Sequence, residues 1–191
     1  MTSRRILIVT SSPRKNGNST LLALRAAEGV KAGGSDAEIV HIGNMKIAPC
    51  TACDACRVNP DAGCIINDDM QPLYHKIRDA DGVIFATPVY WFNVSAQMKS
   101  FIDRTYATYN DGVYAFTGKD VGVIITYEDE DVFVSGGINA LRSFKDIFAY
   151  VRANLVGMVY GSANKAGEVQ GNERLLKKAY ELGSKMAKPD K

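Results

Sequence analysis

The sequence predicts an α/β fold in which a parallel sheet is covered by helices on both faces. Short β-branched apolar runs alternate with longer segments of helical period, the pattern of successive strand–helix units. The runs are apolar nearly throughout, as expected of strands buried on both sides. A chain of 191 residues with 46% apolar content can bury such a core within one domain, expected over residues 1–187, with 188–191 as a tail.

The first strand is expected at Arg5 to Thr10 and is followed by a helix starting near Asn18. In that helix Leu22, Ala26 and Val30 recur every four residues and so line one face, and Gly33-Gly34 supplies the stop. Further strands are expected at Ala37 to Ile42, Gly82 to Thr87, Val121 to Thr126 and Leu155 to Tyr160. Helices are expected to start near Asp69, Ser95 and Gly137, with a last one after Gly171. The result is five strands and five helices. In open sheets of this kind ligands bind at the carboxyl ends of the strands, near the switch in strand order, so the loops there should carry the chemistry.

Composition excludes some partners. A net charge of +2, from 23 basic and 21 acidic residues, builds no field for nucleic acid or an anionic membrane. No apolar run approaches the roughly 20 residues of a membrane span, and no secretory signal is read, so the cytoplasm is the expected compartment.

All four cysteines fall within fifteen residues, as Cys50-x2-Cys53-x2-Cys56-x7-Cys64, inside a loop expected at 46–68. Three thiolates at two-residue gaps can converge on one centre, and a fourth can close a four-thiolate site for a [4Fe–4S] cluster. Structural zinc more often uses two separated pairs of ligands; reactive thiols without metal and two disulfides are the further alternatives for four clustered cysteines. The run resembles the cluster-binding segment of bacterial ferredoxins, except that Ile65 rather than proline follows the last cysteine, so all four would serve one cluster.

The loop Thr10-Ser11-Ser12-Pro13-Arg14-Lys15-Asn16-Gly17-Asn18-Ser19-Thr20 lies between a buried strand and a helix start. It reads as a phosphate cradle of helix N-terminal amides and hydroxyls, or alternatively as a polar turn whose Ser, Asn and Thr cap the helix. It is neither a Walker loop nor a G-x-G-x-x-G fingerprint, which argues against ATP hydrolysis and ordinary dinucleotide binding. The third strand runs into Pro88-Val89-Tyr90-Trp91-Phe92-Asn93, with Ser95 opening the next helix. Consecutive aromatics and backbone amides there suit a planar ring system such as a flavin, with Asn93 or Ser95 as helix cap; core or subunit-interface packing is the alternative.

The order of these motifs, with Lys99-x-Phe101-x-Asp103-Arg104 after them, resembles the flavodoxin-like NADPH-dependent FMN reductases, and the placement of the cysteines resembles their iron–sulfur flavoprotein branch. The resemblance spans roughly residues 5–105 and implies a flavodoxin-like three-layer fold with strand order 2-1-3-4-5. It implies an FMN phosphate on Ser12, Arg14, Asn18, Ser19 and Thr20, and the ring against Pro88, Val89, Tyr90, Trp91, Phe92 and Asn93. Family members often carry a glycine-rich turn after the fourth strand; here the acidic run Glu128-Asp129-Glu130-Asp131 delays Gly136-Gly137, and either Thr126 or that glycine pair is the expected contact with the ring. The acidic run reads as a solvated loop. His41 and His75 have no neighbours that make them catalytic, Asp103-Arg104 reads as structural, and the chemistry is expected to belong to FMN.

The resemblance further implies ferredoxin or NAD(P)H as donor, and a quinone, free flavin, oxygen or peroxide as acceptor. The cluster would act as a one-electron relay, and the assembly is expected to be a homodimer or homotetramer that covers Trp91 and Phe92. The alternatives are an NAD(P)H-dependent FMN or quinone reductase without a cluster, and a non-catalytic electron carrier. The latter lacks here the acidic surface that steers flavodoxin docking.

Overall fold

A computed structural model describes residues 3–188; of the expected tail, residues 189–191 lie outside the described residues. Strand β1 is Arg5–Thr10, followed by helix α1, Asn18–Ala32, and strand β2, Asp36–His41. A one-turn helix α2, Ala55–Val58, interrupts the cysteine loop, and α3 is Gln71–Asp79. Next come β3, Gly82–Tyr90, a two-residue strand β4, Asn93–Val94, and α4, Ala96–Arg104. The chain then forms β5, Asp120–Tyr127, α5, Gly137–Tyr150, β6, Asn154–Ser162, and α6, Glu173–Met186.

Five strands pair in parallel in the order β2-β1-β3-β5-β6, the expected flavodoxin-like order. Three elements depart from expectation. β3 runs three residues beyond Thr87, so Pro88, Val89 and Tyr90 belong to the strand, and it folds back on β4 as a short antiparallel hairpin, a sixth strand. The one-turn α2 makes six α-helices rather than five among the described residues.

Side-chain alternation along each strand divides the core into two layers. Leu7 and Val9 of β1, Val83 and Phe85 of β3, and Val121, Val123 and Ile125 of β5 face α3, α4 and α5. Ile6, Ile8, Ile84, Ala86 and Ile124 face α1 and α6. Phe85 is the hub of the first layer, with the rings of Phe101, Phe116, Phe144 and Phe148 centred 5.3–6.4 Å from its own. Ser95 caps α4 by accepting from the Met98 amide, one of the two expected caps; Asn93 instead accepts from the adjacent Val94 amide. The expected Gly33-Gly34 stop ends α1, with Gly34 in the left-handed region at φ 85°.

On the second layer α1 and α6 meet at backbone distance. A Cβ on Gly183 would lie 1.9 Å from the Ala26 carbonyl oxygen, and one on Gly29 would lie 2.1 Å from that of Tyr180. Gly183→Ala gains helix propensity of about 1 kcal/mol but must separate the two helices, so a net loss of about 2 kcal/mol is expected in urea unfolding. Gly171→Ala, where nothing lies within 4 Å, should change stability by less than ~0.5 kcal/mol in the same measurement.

Candidate functional site

Three buried hydroxyls join the loops at the carboxyl edge of the sheet. Ser95 Oγ donates to Ser11 Oγ at 2.8 Å, and the Ser95 amide donates to Thr87 Oγ1 at 3.2 Å, so the loop after β1, the end of β3 and the start of α4 form one unit. Helix α1 opens with Gly17 at the N-cap and no side-chain acceptor, which leaves its first amides free for an anion. Gly17 is required there, because a Cβ would lie 2.2 Å from Ser12 Oγ and fill the cradle. Ser19 Oγ is buried without a partner just inside the helix.

The capping alternative for this loop does not describe what is seen, since the polar side chains point elsewhere. Asn18 Nδ2 donates to the Ala163 and Lys165 carbonyls, and its Oδ1 accepts from the Val169 amide. Only the backbone of Asn18 therefore remains for a ligand. Thr20 shares a 2.7 Å hydrogen bond with Thr10, and Arg14 donates to the Asn164 carbonyl at 2.9 Å. Ser12, Arg14 and Asn18 line one depression together with Pro88, Val89, Tyr90 and Thr126. Tyr127, Glu128, Ala163 and Asn164 complete it and were not anticipated; the position of the β6 end at the same carboxyl edge is the signal that could have found the last two.

Trp91, Phe92 and Asn93 do not line that depression; they form the exposed tip beside it. Trp91 is 93% exposed and Phe92 51%. Both central residues of the turn between β3 and β4 have positive φ, 49° and 66°, a conformation that favours Asn-Gly and costs about 1–3 kcal/mol for each bulky residue. The tip is held by α5, where Asn139 Nδ2 donates to the Phe92 carbonyl at 3.2 Å. Gly136, at φ 71°, leaves room for it, since a Cβ there would sit 2.5 Å from Phe92 Cβ. The acidic residues Glu128 to Asp131 are exposed, as expected of a solvated loop.

All four cysteines are free and line one small cavity with Arg104 and Tyr106. Among the described residues, no group of three or more His, Cys, Asp or Glu side chains is drawn together as ligands of one metal ion. The Cys53 thiol is pulled below its usual value by the Ala55 amide and then by the Thr51 hydroxyl, whereas burial and then the nearby Cys64 push Cys56 up. Arg57, next to Cys56, lies 3.9 and 3.8 Å from the ring centres of Tyr106 and Tyr109 and donates to Tyr114 Oη at 2.7 Å, which fixes α2 to the body.

The ends of the cysteine loop meet in a neck. Asp68 and Asp69 accept from the Ala48 and Lys46 amides, and Gln71 Nε2 donates to the Cys64 and Ile66 carbonyls. Arg104, 1% exposed, closes the neck: Nη1 donates to Asp68 and the Ala48 carbonyl, and Nη2 to Asp68 and the Ile66 carbonyl. Burial alone would raise the Asp68 pKa, but hydrogen bonds from Arg104 and from the Ala48 and Met70 amides hold it below the ordinary value. Asp68→Asn leaves a buried cation unpaired and should cost about 3–5 kcal/mol at pH 7. Because the native pKa is depressed, the carboxylate's contribution is complete above the unfolded value of about 4 and is lost as pH falls through the folded one. Urea titrations should show a constant gap between wild type and Asp68→Asn from about pH 5 to 7, narrowing below about pH 4.

The profile of the NADPH-dependent FMN reductase family matches residues 4–168. The chain is 36% identical over 181 residues to an iron–sulfur flavoprotein of Archaeoglobus fulgidus, covering 94% of this chain and 77% of that one. It is 43% identical over 97 residues to an iron–sulfur flavoprotein of Methanosarcina thermophila, covering 51% of this chain and 50% of that one. The structure of an NAD(P)H:quinone oxidoreductase from Methanothermobacter marburgensis superposes on the whole chain with a TM-score of 0.75 at 19% identity, over 100% of both chains, and so shares the fold. The chain belongs to the NADPH-dependent FMN reductase family of flavin-dependent oxidoreductases, in the branch that contains the iron–sulfur flavoproteins.

Proposed function

We propose that the protein uses FMN and a [4Fe–4S] cluster on Cys50, Cys53, Cys56 and Cys64 to pass electrons from ferredoxin or NAD(P)H to a small acceptor, a quinone, free flavin, oxygen or peroxide. The observation that carries this reading is the four free thiols around a single cavity, held by a pinned loop at the end of the helix that starts beside the flavin loops. A cubane takes one thiolate for each of its four irons, and the four thiols of this chain all line that one cavity.

The uncapped start of α1, the unpartnered Ser19 hydroxyl and the Gly17 cradle fit an FMN phosphate. The amides of Asn18, Ser19 and Thr20, with Ser12 and Arg14, would bind it, while Pro88, Val89, Tyr90 and Thr126 would wall the ring. Bound FMN supplies hydride and single-electron chemistry. The chain's part is to hold the phosphate and to orient the ring against these walls. No side-chain acid or base is needed, and the exposed His41 and His75 line neither cavity.

The exposed Trp91, Phe92, Phe133 and Val134 support an assembly of two or four copies that covers this apolar tip. Sedimentation should show such an assembly for the wild type and a smaller species for Trp91→Lys; a monomeric wild type would remove this part of the reading.

Protein purified without oxygen should contain about four irons and four acid-labile sulfides per FMN. FMN without iron or sulfide would favour the cluster-free reductase, and failure to turn over NAD(P)H or reduced ferredoxin with a small acceptor would favour the electron carrier. Cys53→Ala should lose iron while FMN affinity changes by less than ~0.5 kcal/mol, about twofold in Kd, because the two sites use different loops.

A further inference from the structure

We infer that the Nε–H of Arg104 donates a hydrogen bond to a sulfur of the four-cysteine centre and thereby raises its reduction potential. A guanidinium has five N–H donors, and four of them are accounted for. Nη1 donates to the Ala48 carbonyl at 3.0 Å and to Asp68 at 2.6 Å; Nη2 donates to the Ile66 carbonyl and to Asp68, each at 3.2 Å. The fifth, on Nε, is buried and has no partner. The side chain cannot swing to solvent to satisfy it, since both terminal nitrogens are pinned and only 1% of the residue is exposed. Arg104 lines the same cavity as Cys50, Cys53, Cys56 and Cys64, and the Tyr74 hydroxyl beside it donates to the Arg104 backbone carbonyl at 3.2 Å, which leaves the sulfurs of that cavity as the candidate acceptors.

The inference rests on the cluster reading above and goes beyond it. Thiolate and sulfide sulfurs accept hydrogen bonds, and such bonds stabilise the more negative, reduced state of a cluster and raise its potential. The Asp68 carboxylate already balances the charge of Arg104, so the effect comes from the directed N–H and not from net charge. Lysine in its place keeps the cation but lacks an Nε–H, which separates the two contributions.

The test is an EPR-monitored redox titration of the holoproteins, with iron and sulfide counted first. In Arg104→Lys with its cluster intact, the ratio of oxidised to reduced centre at the wild-type midpoint should rise roughly tenfold, ~59 mV for a one-electron couple. In wild type labelled with ¹⁵N-arginine, pulsed EPR of the reduced centre should show a ¹⁵N coupling that is absent from Arg104→Lys and kept in Arg57→Lys. A side chain with only a structural role would lower stability and move neither signal. An unshifted potential in a cluster-loaded variant overturns the inference, as does a cluster-loaded wild type without ¹⁵N coupling; the latter needs no variant to fold. A wild type with neither iron nor sulfide overturns the inference and the cluster reading together.

Discussion

The Arg104–Asp68 pair is the constraint on which the cysteine loop depends. From residue 46 to 68 the chain has one helical turn and positive φ at Ala52, Asp54 and Gly63, so its own backbone supplies little order. Closing and ordering a loop of this length costs entropy that local hydrogen bonds alone do not offset. A buried ion pair contributes little net stability, because desolvation cancels most of its attraction. Its value here is geometric: a planar fork held by one carboxylate and two carbonyls fixes both strands of the neck at once.

The same arginine ends α4, a helix of nine residues and hence about 13 Å. At its other end Ser95 caps the helix and bonds Ser11 of the phosphate-type loop. One rigid element thus has its start fixed by the hydroxyls of one candidate site and its end fixed by the ion pair of the other. A shift of α4 would move both. The cost of holding Trp91 and Phe92 in left-handed conformations is met nearby, where Gly136 admits Phe92 and Asn139 holds its carbonyl.

The five strands and the helices between them were legible, because apolar runs and four-residue periodicity are local signals; the strand order followed only from the family resemblance. The cysteine cluster was legible as spacing, and the first and third loops as motifs between a strand and a helix. The short β4 was not, since two residues carry no period and the turn before it uses Trp-Phe where sequence rules look for Asn-Gly. The family resemblance places Asn18 at the phosphate, but its amide side chain is used by segment 163–169, a tertiary pairing that one sequence does not display. Arg104 was read as structural, which its ion pair with Asp68 agrees with; its place in the wall of the thiol cavity depends on a contact 36 residues away in the chain.

The two sites also lie on different layers of the fold. Helix α1, whose start forms the phosphate-type cradle, packs on the layer of Ile6, Ile8 and Ala86. Cys56 and Cys64 pack against the opposite layer, that of Leu7, Val9 and Phe85. The sheet stands between those layers, and its three central strands, β1, β3 and β5, are buried over most of their length. The connection therefore runs around the carboxyl edge, through the end of β3, its hairpin and α4. That is the edge where two consecutive bulky residues, Trp91 and Phe92, hold positive φ and where Trp91 is 93% exposed, so strain and apolar exposure fall together on the one route between the two sites.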